Sequence, residues 1–360
     1  MATPKFHTLR VKDIRREAPD AVSLAFDIPK NLAADYAFAP GQYLTLRTTL
    51  AGEDMRRSYS VCTSPDDGEL RIGVKRVEGG PFSTWLNEGV KPGDEIAVMT
   101  PTGRFGLVET SDAPCVHVGF AAGSGITPLL SIARGVLARE PASRFFLFYG
   151  NRTTDGVMFR DVLEDLKDQH LRRLSVFHVL SQEEQDVPVL NGRLDAEKIA
   201  ALTKHIVPAA VIDHAFVCGP HGMSEAVEAA LRDAGVAPER IHVERFVSAE
   251  GGRARTPTPR VAPQNDAATR RATLVVDGKS REVPVPDGMS ILDAALAAGL
   301  DLPFACKGGM CCTCRAKLVS GEAPMAVNYS LEPWEIAKGF VLTCQAHPAT
   351  DRVVVDFDAM

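Results

Sequence analysis

At 360 residues, with 45% hydrophobic and 24% charged residues, the chain has ordinary globular composition and length for two or three domains, each able to bury a core. Its net charge of −6 gives no basic face for nucleic acid and no polybasic membrane anchor, so neither partner is expected. Met1 to Arg10 has no apolar core of signal-peptide length and no apolar run is long enough to span a bilayer, which predicts a cytoplasmic protein.

From Phe6 to about Val98, short alternating segments such as Ala21–Ile28, Tyr43–Leu50 and Glu69–Val77 are separated by Gly, Pro and Asp, the pattern of a small antiparallel β-barrel. Within it, Arg57-Ser58-Tyr59-Ser60 reproduces the R-x-Y-[ST] flavin motif, and Gly80-Pro81-Phe82-Ser83-Thr84 leads into a helix expected over Phe82–Asn87. An arginine can fork onto a pyrophosphate, a tyrosine ring can lie against an isoalloxazine, and the Ser60 hydroxyl can hydrogen-bond flavin N5. The glycine-led turn offers backbone N–H groups to phosphate. Alone, R-x-Y-S also describes a surface arginine beside a strand tyrosine; its place in a barrel ahead of an α/β domain favours the flavin.

From Cys115 the rhythm changes to apolar strand, glycine turn and helix, repeated, with strands at Cys115–Phe120, Arg144–Tyr149, Leu174–Leu180 and Ile212–Cys218. This predicts a parallel α/β nucleotide-binding domain. The first turn, Gly119 to Pro128, contains Gly123, Ser124, Gly125 and Thr127 and has the geometry of a nucleotide-phosphate site, although it is not G-x-G-x-x-G. Strand two ends at Asn151 and Arg152, and strand four at Cys218, Gly219, Pro220 and Met223, both at carboxyl ends where open sheets bind ligands. Arg152 is placed to meet a 2′-phosphate.

Residues 250–269, with Gly251, Gly252, Pro257, Pro259 and Pro263, read as a linker. The boundaries expected are a flavin domain at 1–110, a nucleotide domain at 111–249 and a compact mixed unit at 270–360, with a helix at Ser290–Ala298 and a last strand at Arg352–Phe357. Inside the third unit Cys306, Cys311, Cys314 and Cys344 stand at C-x4-C-x2-C with the fourth far downstream, the plant-type [2Fe-2S] ligand spacing. Three thiolates must come from one loop wrapped on the cluster, and Gly308 and Gly309 let backbone N–H groups face the sulfur atoms. Zinc usually takes two close pairs of ligands, and no oxidising compartment is indicated for disulfides. Cys312 falls outside the spacing and reads as a packed thiol; Cys62, Cys115 and Cys218 lie in apolar stretches where cysteine acts as a small hydrophobe.

On these motifs, residues 5–248 resemble the ferredoxin–NADP reductase superfamily, and 270–360 resemble a plant-type ferredoxin fused behind it. The resemblance implies FAD, favoured over FMN, a [2Fe-2S] cluster and NADPH as cosubstrate, and a C-terminal α+β (β-grasp) fold. It assigns Arg57, Ser58, Tyr59, Ser60, Val74 and Lys75 to the flavin and Gly80, Pro81, Phe82, Ser83 and Thr84 to its pyrophosphate. Thr127 and Cys218 go to the nicotinamide end, and Phe246 goes near the flavin ring, its other reading being a core aromatic; the work is positioning, so Ser60 and Thr127 are expected to orient rather than transfer protons. More narrowly, Ala305–Gly309, Asn328–Pro333, Val353–Asp358 and Tyr149–Thr153 are similar to the family of phenylacetyl-CoA epoxidase reductase subunits. In that family the acceptor is a separate di-iron oxygenase; the residues themselves establish only the electron route.

Nicotinamide donates two electrons together and an iron–sulfur cluster takes one, so a flavin between them is required, and the domain order supplies it. A self-contained oxygenase would need the E-x-x-H of Glu239–His242 twice on helices, whereas it occurs once, where Ile241 and Val243 alternate as in a strand. A redox-sensing module with vestigial nucleotide sites is opposed by the intact flavin and nicotinamide constellations. Reductases of steroid or aromatic-ring hydroxylases share the three-part plan and are the alternative reading.

Overall fold

The computed structural model describes residues 5–106, 111–246 and 270–359, and the chain forms two compact units. The larger, His7–Met55 with Tyr59–Phe246, holds two sheets, apart from Phe6 and Arg56–Ser58 of the first, which fall in the smaller unit. The first is built from β1 (Phe6–Ala18), β2 (Ala21–Asp27), β3 (Tyr43–Leu50), β4 (Glu53–Ser60), β5 (Leu70–Lys75) and β6 (Glu95–Met99), in the order β4-β3-β6-β1-β2-β5. Its pairs β1–β2, β2–β5 and β3–β6 are antiparallel. The two outer strands are joined by an antiparallel bridge from Val61 to Ile72, and the Cys62 N–H donates to the Arg71 carbonyl at 2.9 Å. This closes the sheet into the expected barrel and leaves no free edge at β5. Leu9, Val11, Leu24, Leu44, Leu46, Ile72 and Val98 fill the interior.

A short helix, α1 (Pro81–Thr84), follows β5. The helix expected over Phe82–Asn87 gives way at Trp85 to a wider turn that ends at Gly89, with the Val90 N–H donating to the Trp85 carbonyl at 3.2 Å. The reason is local. The Asn87 side-chain amide donates to the Ser83 carbonyl at 2.9 Å and to the Val74 carbonyl at 3.4 Å, pulling the turn onto the barrel strand.

The second sheet consists of β7 (Val116–Ala122), β8 (Arg144–Asn151), β9 (Leu174–Leu180), β10 (His214–Gly219) and β11 (Ile241–Arg245), all parallel in the order β11-β10-β7-β8-β9. The helices α2 (Ile126–Arg139), α3 (Arg160–Gln169), α4 (Ala196–His205) and α5 (His221–Asp233) connect them. Strand order reverses between β7 and β10, so the carboxyl ends of these two open the crevice in which such sheets bind ligands. One apolar cluster takes in Ala18, Ala21, Cys62 and Phe105 of the barrel region together with Ile126, Leu129, Ile132 and Val136 of α2 and Phe145, Leu147 and Tyr149 of β8. Ser131 on α2 donates to the Thr63 carbonyl at 2.6 Å, and Arg134 and Arg139 pair with Asp67 and Asp66 at 2.6 and 2.8 Å. Barrel and parallel sheet therefore share a core as well as a seam.

The smaller unit carries β12 (Arg270–Val276), β13 (Lys279–Val285), α6 (Ile291–Ala297), β14 (Arg315–Ser320), α7 (Pro333–Ala337), β15 (Phe340–Leu342) and β16 (Arg352–Asp356). Its sheet order is β13-β12-β16-β14-β15, with β12 and β16 parallel and the remaining pairs antiparallel. Ser290 caps α6 by accepting from the Asp293 N–H at 3.1 Å, and Ile291, Leu292, Ala294 and Ala295 bury against Ala272, Leu274 and Val283. A mixed sheet grasping one helix is the β-grasp arrangement. The expected linker, 250–269, lies outside the described residues.

Candidate functional site

Strand β4 carries Arg57, Ser58, Tyr59 and Ser60. The half-buried Tyr59 ring lies 6.1 Å from the Phe82 ring of α1, while Ser60 is buried. Beyond Val74, which receives the Asn87 amide, Lys75 reaches Asp20 at 3.5 Å. The Ser83 hydroxyl accepts from the Val77 N–H at 3.0 Å and donates to the Gly80 carbonyl at 3.1 Å, so it shapes the turn from Gly80 to Thr84.

At the carboxyl end of β7 the chain turns through Gly123, whose φ of +54° lies in the left-handed region, and the Tyr149 hydroxyl donates to its carbonyl at 3.0 Å. Gly125 is required by close approach: a Cβ there would stand 2.0 Å from the Cys218 carbonyl oxygen. Buried Thr127 donates to the Ser124 carbonyl at 2.9 Å, and its methyl faces Gly73 of the barrel so closely that a Cβ on that glycine would come within 2.4 Å. Gly219 and Pro220 lead into α5, with Met223 packed over Gly219. Asn151, ending β8, has a buried side-chain nitrogen with no hydrogen-bond partner. The exposed Arg152 follows, its carbonyl accepting from the Gln182 N–H at 2.8 Å, beside a cleft of about 430 Å³ lined by Leu180, Ser181, Gln182, Glu183, Asn191 and others.

These parts converge on a residue that motif reading missed. Register pairs Cys218 of β10 with Glu244 of β11, and Ser60 of the barrel donates to Glu244 Oε2 at 3.4 Å, with Cys218 Sγ 4.0 Å from the same oxygen. Burial pushes the Glu244 carboxyl up to about 8, opposed by the Ser60 hydrogen bond, so near neutral pH it is largely protonated. Burial, and then the carboxyl, raises the Cys218 thiol well above its usual range, which keeps it a thiol. The available signal was an acid between His242 and Phe246 on the face opposite Ile241 and Val243 of a short strand pattern. Phe246, just beyond, packs on the core cluster that contains Cys218.

In the smaller unit, Cys306, Cys311, Cys314 and Cys344 come together as Cys306 with Cys311 and Cys314 with Cys344, each pair hydrogen-bonded thiol to thiol. Lys307, Gly309 and Cys312 all have φ between +50° and +75°, which winds the loop tightly. Its N–H groups turn inward: Gly308 donates to Cys306 Sγ at 3.3 Å. The Cys311 thiol first, then the N–H groups of Gly308, Met310 and Cys311, pull the Cys306 thiol below its usual range against the opposing effect of burial. Cys344 is likewise lowered, chiefly by Cys314, whereas Cys311 and Cys314 are raised. Cys312 instead donates to the Ser330 hydroxyl at 3.0 Å.

Such a donor set fits the groups implied by the motifs. Four thiols ringed by N–H donors suit an anionic iron–sulfur centre, and the orphaned Asn151 donor beside the Gly123 turn suits a nucleotide. Family models agree: "Oxidoreductase FAD-binding domain" matches 8–106, "Oxidoreductase NAD-binding domain" 120–229 and "2Fe-2S iron-sulfur cluster binding domain" 274–349. One of the subunits of 1,2-phenylacetyl-CoA epoxidase from Escherichia coli K12 is 44% identical over 98% of this chain and 98% of its own. The chain belongs to this reductase family. The ferredoxin reductase component of 3-ketosteroid-9-alpha-monooxygenase from Mycolicibacterium smegmatis is 35% identical over 97% of the reductase and 96% of its own length. A solved phthalate dioxygenase reductase, described as a modular structure for electron transfer from pyridine nucleotides to [2Fe-2S], matches with a TM-score of 0.58 and 24% identity. The match covers 98% of each chain and concerns the fold. The reductase is thus an oxidoreductase with FAD-, NAD- and [2Fe-2S]-binding domains, the reductase component of an oxygenase system. Among the described residues no helix is long and apolar enough to cross a membrane.

Proposed function

We propose that the reductase draws electrons from NADPH and hands them singly to the di-iron component of an epoxidase acting on phenylacetyl-CoA. The observation that carries the electron route is the meeting of Ser60 from the flavin-motif strand with Glu244 and Cys218 from the nucleotide sheet, at 3.4 and 4.0 Å about one carboxyl oxygen, and the choice of acceptor is supported by the 44% identity to the epoxidase subunit. When bound, the flavin supplies the conversion between paired and single electrons. Arg57 forks onto its pyrophosphate, Tyr59 lies against its ring system and the turn from Gly80 to Thr84 shapes the phosphate seat, with Val74 and Lys75 beside it. Gly123, Ser124, Gly125 and Thr127 with Gly219, Pro220 and Met223 seat the nucleotide, and Phe246 covers the flavin side. Cys306, Cys311, Cys314 and Cys344 hold the cluster. The division is 1–110, 111–249, a linker at 250–269, and 270–360.

Ser60 and Cys218 orient, and Glu244 holds a proton beside them. Because its folded pKa is about 8, the neutral form is present below that value and is lost as pH rises through it. NADPH–ferricyanide turnover is therefore expected to decline above about pH 8 in the parent protein and to lose that alkaline limb in Glu244→Gln. An identical pH profile in the variant would remove Glu244 from the reaction.

Among the described residues no carboxylate pairs with the exposed Arg152, whose backbone carbonyl is bonded to Gln182 of the cleft at the end of β9. Arg152 pairs with the 2′-phosphate, a charge-assisted contact worth roughly 1.5–3 kcal/mol, or about ten- to a hundredfold in preference. Glu183, held by the Thr154 N–H and hydroxyl at 2.7 Å each, is a counterweight in the same cleft. Arg152→Ala is expected to erase most of the NADPH preference, read as the ratio of kcat/KM for NADPH and NADH. An unchanged ratio assigns the phosphate to another residue.

Delivery to the epoxidase is tested by combining the reductase with the purified oxygenase, NADPH and phenylacetyl-CoA and measuring substrate oxidation. A second reading, service to a steroid oxygenase, rests on the 35% identity to the ketosteroid monooxygenase component. Oxidation of a 3-ketosteroid with that oxygenase, and none of phenylacetyl-CoA, would favour it.

A further inference from the structure

At the amino-terminal edge of the parallel sheet, opposite the nucleotide end, Cys115, His117 and Glu140 come together, with one ligating atom from each lying within 4.8 Å of the others. The reaction centre does not involve them. His117 is the second residue of β7, and Gly123, where the nucleotide turn begins, lies six residues and about 20 Å further along the strand direction. His117 and Glu140 are each 1% exposed, and His117 Nε2 is 2.8 Å from Glu140 Oε2. The other ring nitrogen, Nδ1, is buried with no hydrogen-bond partner.

We propose that these three residues form a binding site for a thiophilic divalent cation, with zinc as the fitting ion. The donor set of one thiol, one imidazole and one carboxylate is the mixture that zinc accepts, and three protein ligands leave a fourth position for water. Bonds of about 2.0–2.3 Å in a tetrahedron place ligand atoms roughly 3.3–3.8 Å apart. The widest spacing therefore needs a contraction of about 1–1.5 Å, within the reach of a side-chain rotation at the half-buried Cys115, while His117 Nε2 and Glu140 Oε2, now 2.8 Å apart, part by about 0.5–1 Å. That residue's exposure also gives an ion a way in.

The surroundings are those of a supported site. The Ser111 N–H donates to Glu140 Oε1 at 3.3 Å, the Cys115 N–H to the Ser143 hydroxyl at 3.1 Å, and Arg173 to the Glu140 carbonyl at 3.0 Å. The His117 ring is held between Phe145 and His214, with centroids at 6.3 and 5.5 Å. Outer contacts of this kind fix ligand orientation. A bound ion takes the place of the proton between imidazole and carboxylate, displaces the thiol proton, and ties the start of β7 to the residue that closes α2.

The test uses full-length protein with flavin and cluster in place. It is equilibrated with zinc sulfate, freed of loosely bound metal by gel filtration in weak chelator, and assayed for zinc and iron by elemental analysis alongside thermal unfolding. The expected result is about one zinc per chain with iron unchanged and a raised unfolding temperature, and an affinity at least about tenfold lower in Cys115→Ser. Glu140→Gln is expected to weaken zinc likewise; should it fail to fold, the serine variant decides alone, its parent-like NADPH–ferricyanide activity certifying the fold. No retained zinc, zinc gained only as iron is lost, or equal zinc affinity in parent and Cys115→Ser would each overturn the site.

Discussion

Serine at Cys306, Cys311, Cys314 or Cys344 is expected to remove the visible iron–sulfur absorbance and abolish delivery to the oxygenase, while Cys312→Ser retains both. The geometry separates the five. Four thiols face one another in hydrogen-bonded pairs, and Cys312 is turned to Ser330. A hydroxyl is a poor substitute for a soft thiolate toward iron, and loss of one ligand leaves the cluster incomplete. NADPH–ferricyanide activity should survive in all five variants, because the larger unit has its own sheets and cores. Bleaching in Cys312→Ser together with a coloured Cys344→Ser would reverse the ligand assignment.

Residues 1–248 expressed alone are expected to keep flavin and NADPH–ferricyanide activity and to drive substrate oxidation by the oxygenase no better than background. The cluster unit is the only delivery point in this scheme. From Arg270 onward it carries 9 basic and 11 acidic residues, too even a balance for strong long-range steering, so removing it discards the docking shape as well as the cluster. Full-length and truncated proteins, each combined with purified oxygenase, NADPH and phenylacetyl-CoA, provide the comparison. Equal substrate oxidation by both would defeat the relay.

What could be read in the sequence was whatever has a local signature. Cysteine spacing, the glycine turns at Gly123 and Gly125, and the change from two-residue alternation to strand-and-helix rhythm all depend on neighbours a few positions apart. The barrel itself was expected from its alternation, and what the sequence did not show is the pair that closes it, the bridge between Val61 and Ile72. Glu244 escaped for the same reason: its environment comes from the register against Cys218 and from Ser60, 184 residues earlier. The short α1 escaped because an amide at Asn87 outcompetes helix continuation, a tertiary choice that propensity alone does not reveal. Likewise Cys115 read as a small hydrophobe until Glu140 was seen beside it.

The single apolar cluster that Ala18, Cys62 and Phe105 share with α2 and β8 bears on how reductases of this kind can be recombined. A chimera cut near residue 110 would divide that cluster between two parents and expose mismatched halves of one interior, so its melting curve should broaden or fall. A cut between 246 and 270 divides none of the four apolar clusters of the described residues. Exchange of acceptor specificity by grafting cluster units therefore has its natural crossover there, and the flavin and nucleotide sheets are best inherited as one block.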